Sequence, residues 1–206
     1  MFQILSFADL QNHEGLQQSM FLDRAVQFVD RLAWDIALTE DGLEIDQYDD
    51  RDALYLIALN ARGRHAASMR LRPTTAVTML RDIFPSMDGA KTTDKAIWES
   101  TRFCIAPGAD MKSAARVLLA GQALGLAQGL QSSLGIYDLR MERVYRRLGW
   151  SPEKLSEADD PSGRVALGAW HFSKDRLLRL SSVCGISPKA AMLWVKRAKG
   201  LDPIFT

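Results

Sequence analysis

The chain has 206 residues, 47% of them hydrophobic, which is enough to bury one substantial core, so we expect a single domain over residues 1–206. Its 26 basic and 25 acidic residues leave a formal charge of +1, which excludes the strong overall field typical of proteins that bind nucleic acid or anionic membranes. With two cysteines, no signal-peptide pattern and no long apolar run, the chain is expected to be cytoplasmic and reduced.

The first half of the chain alternates short strands with helical segments. Residues 2–7 predict a strand, and residues 18–34 repeat apolar residues at the spacing of an amphipathic helix. An acidic, turn-rich segment at 39–53 leads into a buried strand at 52–60. The stretch NARGR then predicts a hairpin turn into a further strand that ends at Pro73.

The second half continues the alternation after an irregular segment. In chain order it predicts a helical turn at 78–84, a strand at 96–105 and a helix at 113–130 capped by Ser113. A strand at 133–139, a helix at 141–149 that ends at Gly149, a strand at 164–173 and two helical stretches in the tail follow. Strands that alternate with helices, together with a central hairpin, predict an α/β sandwich on a mixed sheet.

Four groups of residues carry candidate chemistry. They are Arg24, Phe28 and Trp34; Asp46 and Asp49; Arg70; and Glu99, Arg102 and Phe103. Their strings, R-x3-F-x5-W, D-x2-D, R-L-R-P-T-T and W-E-x-x-R-F, occur in the order seen in the acyl-homoserine-lactone synthases, the autoinducer synthases of bacterial quorum sensing. The chain resembles that family from about Arg24 to Trp150.

The resemblance implies a GNAT-like acyltransferase, a three-layer sandwich with a mixed central sheet flanked by helices. It also implies two substrates, S-adenosylmethionine and an acyl thioester of acyl-carrier protein or coenzyme A, and no separate cofactor or metal. The expected catalytic set of Asp46, Asp49, Glu99, Arg70 and Arg102 holds three acids and two arginines, so it carries one excess negative charge. A ligand with a positive sulfonium would balance that charge.

Individual roles follow from this chemistry. We expect Glu99, directly or through water, to take the proton from the methionine amine as it attacks the thioester carbonyl. Arg24 lies one helical turn before Phe28 and is expected to reach the ligand carboxylate. The rings of Phe28, Trp34, Phe84 and Phe103 are expected to face the sulfonium or stack on adenine.

Two further features of the sequence concern the acyl donor. The stretch APGADMKSAARV lacks the turn with which common acetyltransferases grip the coenzyme A pyrophosphate, which favours a carrier-protein donor. The acidic carrier protein could dock on a group of basic residues, Arg140, Arg143, Arg146, Arg147 and Lys154. A helix face that is simply exposed to solvent explains the same pattern equally well. Tyr137 stands where the family often has a smaller residue that touches the acyl chain, and we expect its ring to shorten the acyl tunnel.

Two other functions remain open at this point. One is a GNAT-like N-acetyltransferase acting on another amine, and the other is a non-catalytic ligand-binding or sensor domain of the same fold. His13, His65 and His171 have no metal-ligand spacing, and Cys104 is expected to be a small buried apolar residue.

Overall fold

The computed structural model describes residues 1–161 and 163–198, which form a seven-stranded sheet with helices on both faces. The strands are β1 (Phe2–Ser6), β2 (Leu54–Leu59), β3 (His65–Pro73), β4 (Ile97–Ile105), β5 (Ser132–Asp138), β6 (Glu153–Asp160) and β7 (Gly163–His171). The helices are α1 (Phe7–Gln11), α2 (Glu14–Ala25), α3 (Met79–Ile83), α4 (Met111–Ala127), α5 (Glu142–Leu148), α6 (Lys174–Cys184) and α7 (Pro188–Arg197). A π-helix, Val26–Arg31, continues α2, and a 3₁₀ turn, Leu139–Met141, precedes α5.

The sheet is mixed, with strand order β1-β2-β3-β4-β5-β7-β6. Every neighbouring pair is antiparallel except β4 and β5, which run parallel. A parallel pair needs a crossover connection, and α4 provides it between these two strands. The centre of the sheet therefore lies between two helical layers, as the sequence predicts.

The two faces of the sheet bury separate cores because side chains alternate along each strand. In β2, Leu56 packs towards α4, whereas Tyr55 and Ile57 pack against α1 and α2. Helix α4 buries 12 of its 17 residues, so it is enclosed between the sheet and the helices α6 and α7. A third, smaller cluster joins Leu80 of α3 to residues of β5 and β7.

Strand β4 contains a bulge that changes which face its side chains reach. Thr101 pairs with Arg70 and Cys104 with Ser68, so β4 has one residue more than β3 in this interval. Arg102 has φ of +53°, a left-handed conformation that is uncommon for a residue other than glycine. As a result Thr101 and Arg102, although adjacent in the chain, both contact groups on the α2 side of the sheet.

The parallel pairing of β4 with β5 is short. It joins Ile97–Glu99 to residues 132–134, and beyond this point the two strands are not paired with each other. A central sheet that opens in this way leaves a cleft between its two halves, next to the bulge.

Three local predictions differ from the structure. The cap of α4 is Asp110, whose side chain accepts the Ser113 N–H at 2.9 Å, so the assignment of Ser113 as the cap is wrong. The sequence segment 18–34 is α2 followed by a π-helix rather than one regular helix. Strand β6 was not predicted, because an edge strand that is exposed and highly charged lacks the apolar alternation by which strands are recognised.

Within the described part of the chain, no helix is both long enough and apolar enough to cross a bilayer.

Candidate active site

Three arginines and three carboxylates form a closed ring of alternating charge on the α2 side of β3 and β4. Its members, in order around the ring, are Arg24, Glu44, Arg102, Asp46, Arg70 and Asp49. The arginines come from α2, β3 and β4, and all three acids come from the loop that precedes β2. The ring has no net charge, and each of its members has two oppositely charged neighbours.

Arg24 is buried, with 1% of its side chain exposed. Its Nε donates to Glu44 at 2.5 Å, and its two Nη atoms donate to the two carboxylate oxygens of Asp49 at 3.0 Å each. Every nitrogen of the guanidinium thus has a carboxylate partner. That Arg24 also contacts a ligand carboxylate stays a prediction, and in this geometry its charge is already paired.

Arg102 and Arg70 close the rest of the ring. Arg102 donates from Nε to Glu44 at 3.0 Å and pairs with Asp46 at 2.8 Å. Arg70 donates to both oxygens of Asp46, at 2.5 and 3.0 Å, and its Nη1 lies 2.8 Å from Asp49. The predicted convergence of Asp46, Asp49, Arg70 and Arg102 is therefore present in the structure.

Glu44 is a member of the ring that the sequence reading missed. It has no exposed surface and connects Arg24 to Arg102. The available signal was its position two residues before Asp46 in EIDQYDD, where alternate residues share a face of an extended chain. Arg72 was also missed, and it holds the same loop by donating to Asp50 at 2.5 Å and to the Tyr48 carbonyl at 2.6 Å.

Asp49 is held in the ionised form by its arginine partners. Burial acts against the charge of Asp49, but Arg24 and Arg70 outweigh it and hold the pKa of the Asp49 carboxyl well below its usual range. The Tyr55 hydroxyl and the Asp46 backbone N–H donate to Asp49 as well, at 2.8 and 3.0 Å. A carboxylate with so many donors is a poor proton acceptor.

Glu99 differs from the ring acids in environment. It is 1% exposed, and no arginine or lysine of the described residues forms an ion pair with it. Its two carboxylate oxygens accept the backbone N–H groups of Leu80, at 2.7 Å, and Met79, at 3.3 Å. Burial raises the pKa of the Glu99 carboxyl, although these N–H groups and the nearby Arg70 and Arg72 act in the opposite direction.

The predicted charge count therefore needs a correction. The sequence suggested three acids against two arginines, but Glu44 and Arg24 complete a neutral ring, so the excess negative charge is that of Glu99 alone. A cationic ligand in this region would be balanced by Glu99.

The four predicted aromatic rings do not surround one point. Phe28 and Trp34 are stacked, with centroids 4.9 Å apart and an interplanar angle of 5°, and the Arg102 guanidinium lies 5.8 Å from the Phe28 ring. Phe103 lies on the other face of the sheet, stacked on Tyr145 at 6.0 Å, because the bulge ends after Arg102. Phe84 packs against the Leu80 cluster instead. Phe28 and Trp34 thus lie together, apart from Phe84 and Phe103, and the role of each ring beside the sulfonium or adenine stays a prediction.

A small cavity of about 40 Å³ lies where β4 and β5 diverge. Its lining is Met69, Ser100, Thr101, Arg102, Phe103, Leu118, Ser133, Ile136, Tyr145, Trp150 and Trp170. Residues of both sheet faces line it, so it lies within the cleft through the sheet, beside the bulge that carries Arg102 into the charged ring.

Tyr137 lies next to this cavity but is not part of its lining. Its ring meets the rings of Tyr145 and Trp170 edge to face, at 5.8 and 5.5 Å. Gly168 leaves room for it, since a Cβ at that position would lie 2.8 Å from the Tyr137 ring. Tyr137 thus contacts two residues of the lining, and its predicted effect on the acyl chain stays a prediction.

The predicted docking residues fall into two groups. Arg140 pairs with Asp138, and Lys154 pairs with Glu142 and Glu157, so their charges are partly balanced. Arg143, Arg146 and Arg147 are exposed on α5, and the ion pairs of residues 1–161 and 163–198 include none of them. These three arginines are the better candidates for docking, and that role stays a prediction.

Cys104 and the histidines take no part in this site. Cys104 is fully buried, and burial raises the pKa of its thiol to about 12, which leaves it unreactive, as expected. His65 is also buried, between Asp23 at 2.7 Å and Ser68 at 2.9 Å.

A parallel pair of strands that opens over a cavity, beside a buried acid, suits an N-acyltransferase. In agreement, the fold is similar to that of a putative N-acetyltransferase from Lactobacillus plantarum, with a TM-score of 0.57, 15% identity and coverage of 84% of this chain and 98% of that one. This likeness concerns the fold alone. The predicted GNAT-like architecture is confirmed.

Closer similarities identify the family. The autoinducer synthase family model matches residues 8–176. An acyl-homoserine-lactone synthase of Rhizobium etli is 37% identical over 183 residues, 85% of this chain and 86% of the relative, and one of Rhizobium radiobacter is 32% identical over 176 residues, 81% and 82% of the two. A CoA-dependent acyl-homoserine lactone synthase, BjaI, solved with SAM and isopentyl-CoA, superposes with a TM-score of 0.81 at 26% identity, covering 90% of each chain. The chain belongs to the autoinducer synthase family.

Proposed function

We propose that this chain transfers an acyl group from a thioester to the amine of S-adenosylmethionine and closes the product to an N-acyl-L-homoserine lactone, a quorum-sensing signal. The amine nitrogen forms a bond to the carbonyl carbon while the carbon–sulfur bond breaks and the free thiol leaves. A carboxylate oxygen then displaces 5′-methylthioadenosine from the γ carbon, and the sulfonium takes up the electron pair of that bond. The observation that carries this proposal is a buried acid, Glu99, which forms no ion pair with an arginine of the described residues and lies close to a neutral charged ring and a cleft in the sheet.

Glu99 is the acid best suited to accept the amine proton. Glu44, Asp46 and Asp49 each form two ion pairs with arginines, so their carboxylate oxygens are already engaged. Glu99 accepts two backbone N–H groups, and its raised pKa makes it a stronger base than an ordinary carboxylate. It also supplies the negative charge that a sulfonium needs nearby.

The bulge in β4 suits the acyl side of the reaction. Arg102 and Phe103 have no paired residues on β3, and both line the cavity. An unpaired backbone N–H at such a position can donate to the thioester oxygen as negative charge develops on it. The unfavourable φ of Arg102 is then part of the arrangement of the site.

The binding of S-adenosylmethionine is assigned to the α2 side of the sheet. The stacked pair Phe28 and Trp34 offers an aromatic surface next to Arg102, and the Trp34 indole N–H is buried without a hydrogen-bond partner among the described residues. A ligand acceptor would satisfy it. S-adenosylmethionine is consumed as a substrate, so we propose that the reaction needs no further cofactor, and we place it in the cytoplasm, where both substrates are made.

The donor is proposed to be an acyl-carrier protein. Asp110 places a carboxylate at the N-terminus of α4, where it accepts the Ser113 N–H, so this helix end is a poor site for a pyrophosphate. BjaI, which is CoA-dependent, gives the competing possibility that acyl-coenzyme A serves this chain as well.

Product analysis tests the proposed reaction. The purified chain, given S-adenosylmethionine and acyl thioesters of carrier protein or coenzyme A, is expected to release lactone and methylthioadenosine in equal amounts, as measured by mass spectrometry. Acylation of another amine without methylthioadenosine would instead support the N-acetyltransferase alternative, and no turnover with any thioester would support a sensor.

The docking role of α5 gives a separate prediction. Replacing Arg143, Arg146 and Arg147 together with glutamate is expected to raise KM for acyl-carrier protein by about tenfold or more, because an acidic partner is repelled, and to leave kcat/KM for acyl-coenzyme A much less affected. The effect should shrink as salt is added. The matched control is Arg62→Glu, an exposed arginine in the β2–β3 turn. An equal loss with both donors would count against docking.

A further inference from the structure

The cavity between β4 and β5 is closed by a group of aromatic side chains. Tyr145, Trp150 and Trp170 line it together with Leu118 of α4, while Phe103 and Arg102 line it beside the bulge. If the thioester carbonyl meets the bulge, the acyl chain runs from there towards these rings. The mostly apolar lining suits a hydrocarbon chain.

Among the described residues, Tyr145 makes more ring contacts than the other aromatic residues of this cavity. It is 6% exposed and contacts three other aromatic residues: Phe103 at 6.0 Å, Trp170 at 5.2 Å and Tyr137 at 5.8 Å. A ring enclosed on several sides cannot turn aside to admit a longer chain without moving its neighbours, since protein interiors are close-packed. Tyr145 is therefore a fixed wall of the cavity.

The size of the cavity limits what fits against that wall. Its volume of about 40 Å³ holds about three or four water-sized groups, at roughly 10–15 Å³ of cavity volume for each. A methylene group is about as large as a water molecule. A long straight acyl chain would need space that Tyr145 and Trp170 occupy.

We propose that Tyr145 determines acyl specificity and restricts the enzyme to short acyl groups, of about four or five carbons counting the carbonyl. This inference rests on the proposed lactone synthesis and adds its substrate class. Tyr137 contacts Tyr145 and acts as a positioning residue. The limit on acyl-chain length is therefore set by a residue of α5, Tyr145, rather than by Tyr137 of β5.

The test is a competition among straight-chain thioesters of four to twelve carbons, on carrier protein and on coenzyme A, with lactones quantified by mass spectrometry. In the wild-type protein, kcat/KM for the decanoyl donor is expected to be at least about 100-fold below that for the best short donor, since each misfitting methylene costs about tenfold or more. Tyr145→Leu should raise the ratio of decanoyl to butanoyl turnover by about tenfold or more. Tyr145→Phe keeps the ring and should keep the wild-type ratio.

Each outcome separates this inference from the proposed function. Wild-type preference for decanoyl or dodecanoyl donors, or a folded Tyr145→Leu variant with an unchanged ratio, overturns the assignment of Tyr145 while lactone synthesis stands. Absence of lactone and methylthioadenosine with every donor overturns the proposed function itself. If Tyr145→Leu does not fold, as judged by thermal unfolding, Tyr145→Met is measured in its place, because its flexible side chain fills more of the space.

Discussion

Replacing Glu99 with glutamine is expected to lower the rate of lactone formation by a factor of about 10² to 10⁴, the usual contribution of a general base. Both carboxylate oxygens of Glu99 accept backbone N–H groups, from Leu80 and Met79. Glutamine keeps one acceptor oxygen but cannot take a proton from the amine. The measurement is single-turnover formation of acylated product at saturating substrates, which isolates the chemical step from binding.

The pH dependence gives the same assignment a second test. Burial raises the pKa of Glu99, so the wild-type rate should fall as the pH drops through a pKa above the ordinary carboxyl range, because the protonated acid is no longer a base. That limb of the profile should be absent from the residual activity of Glu99→Gln. A variant with unchanged turnover and an unchanged unfolding midpoint would show that another group accepts the proton.

The second large effect concerns stability. Replacing Arg24 with methionine is expected to lower the free energy of unfolding by about 3–5 kcal/mol, the usual cost of removing one partner from a buried ion pair. Methionine fills similar space but leaves Glu44 and Asp49, both with no exposed side-chain surface, without three of their hydrogen bonds. The measurement is equilibrium unfolding in urea, compared at matched pH.

An exposed arginine provides the control for this variant. Arg140 pairs with Asp138 on the surface, with 69% of its side chain exposed, so Arg140→Ala should leave the urea midpoint nearly unchanged. An Arg24→Met protein with the wild-type midpoint would mean that the ring contributes little to folding, and its arginines would then have to be explained by ligand binding alone.

Much of the fold could be predicted from local pattern. The strands around Leu56 and Met69, the hairpin turn at 60–64 and the end of α5 at Gly149 were all predicted, because alternation, turn residues and a glycine at positive φ are local signals. Strand β6 was not predicted, since its place in the sheet depends on pairing with β7 rather than on its own composition.

Most residues of the candidate site could be predicted from the sequence, but the way in which they pair could not. Asp46, Asp49, Arg70 and Arg102 could be chosen from their motifs, but Glu44 has the composition of an ordinary acidic loop residue. Its role depends on contacts with Arg24 and Arg102, which are 20 and 58 residues away in the chain. No spacing rule within a single sequence reaches over such distances.

The sequence by itself determined the family, the alternation of strands and helices and the types of charged residue that the chemistry uses, because these are carried by short strings and local periodicity. Only the tertiary structure decided which charges pair, that Glu99 stands apart from the ring, and that Phe28 and Phe103 lie on opposite faces of the sheet. The charges pair over long distances in the chain, which no local pattern reveals. For Phe103 the reason is the bulge at Arg102: one extra residue in β4 changes the face of the side chains after it, and its presence depends on the register with β3.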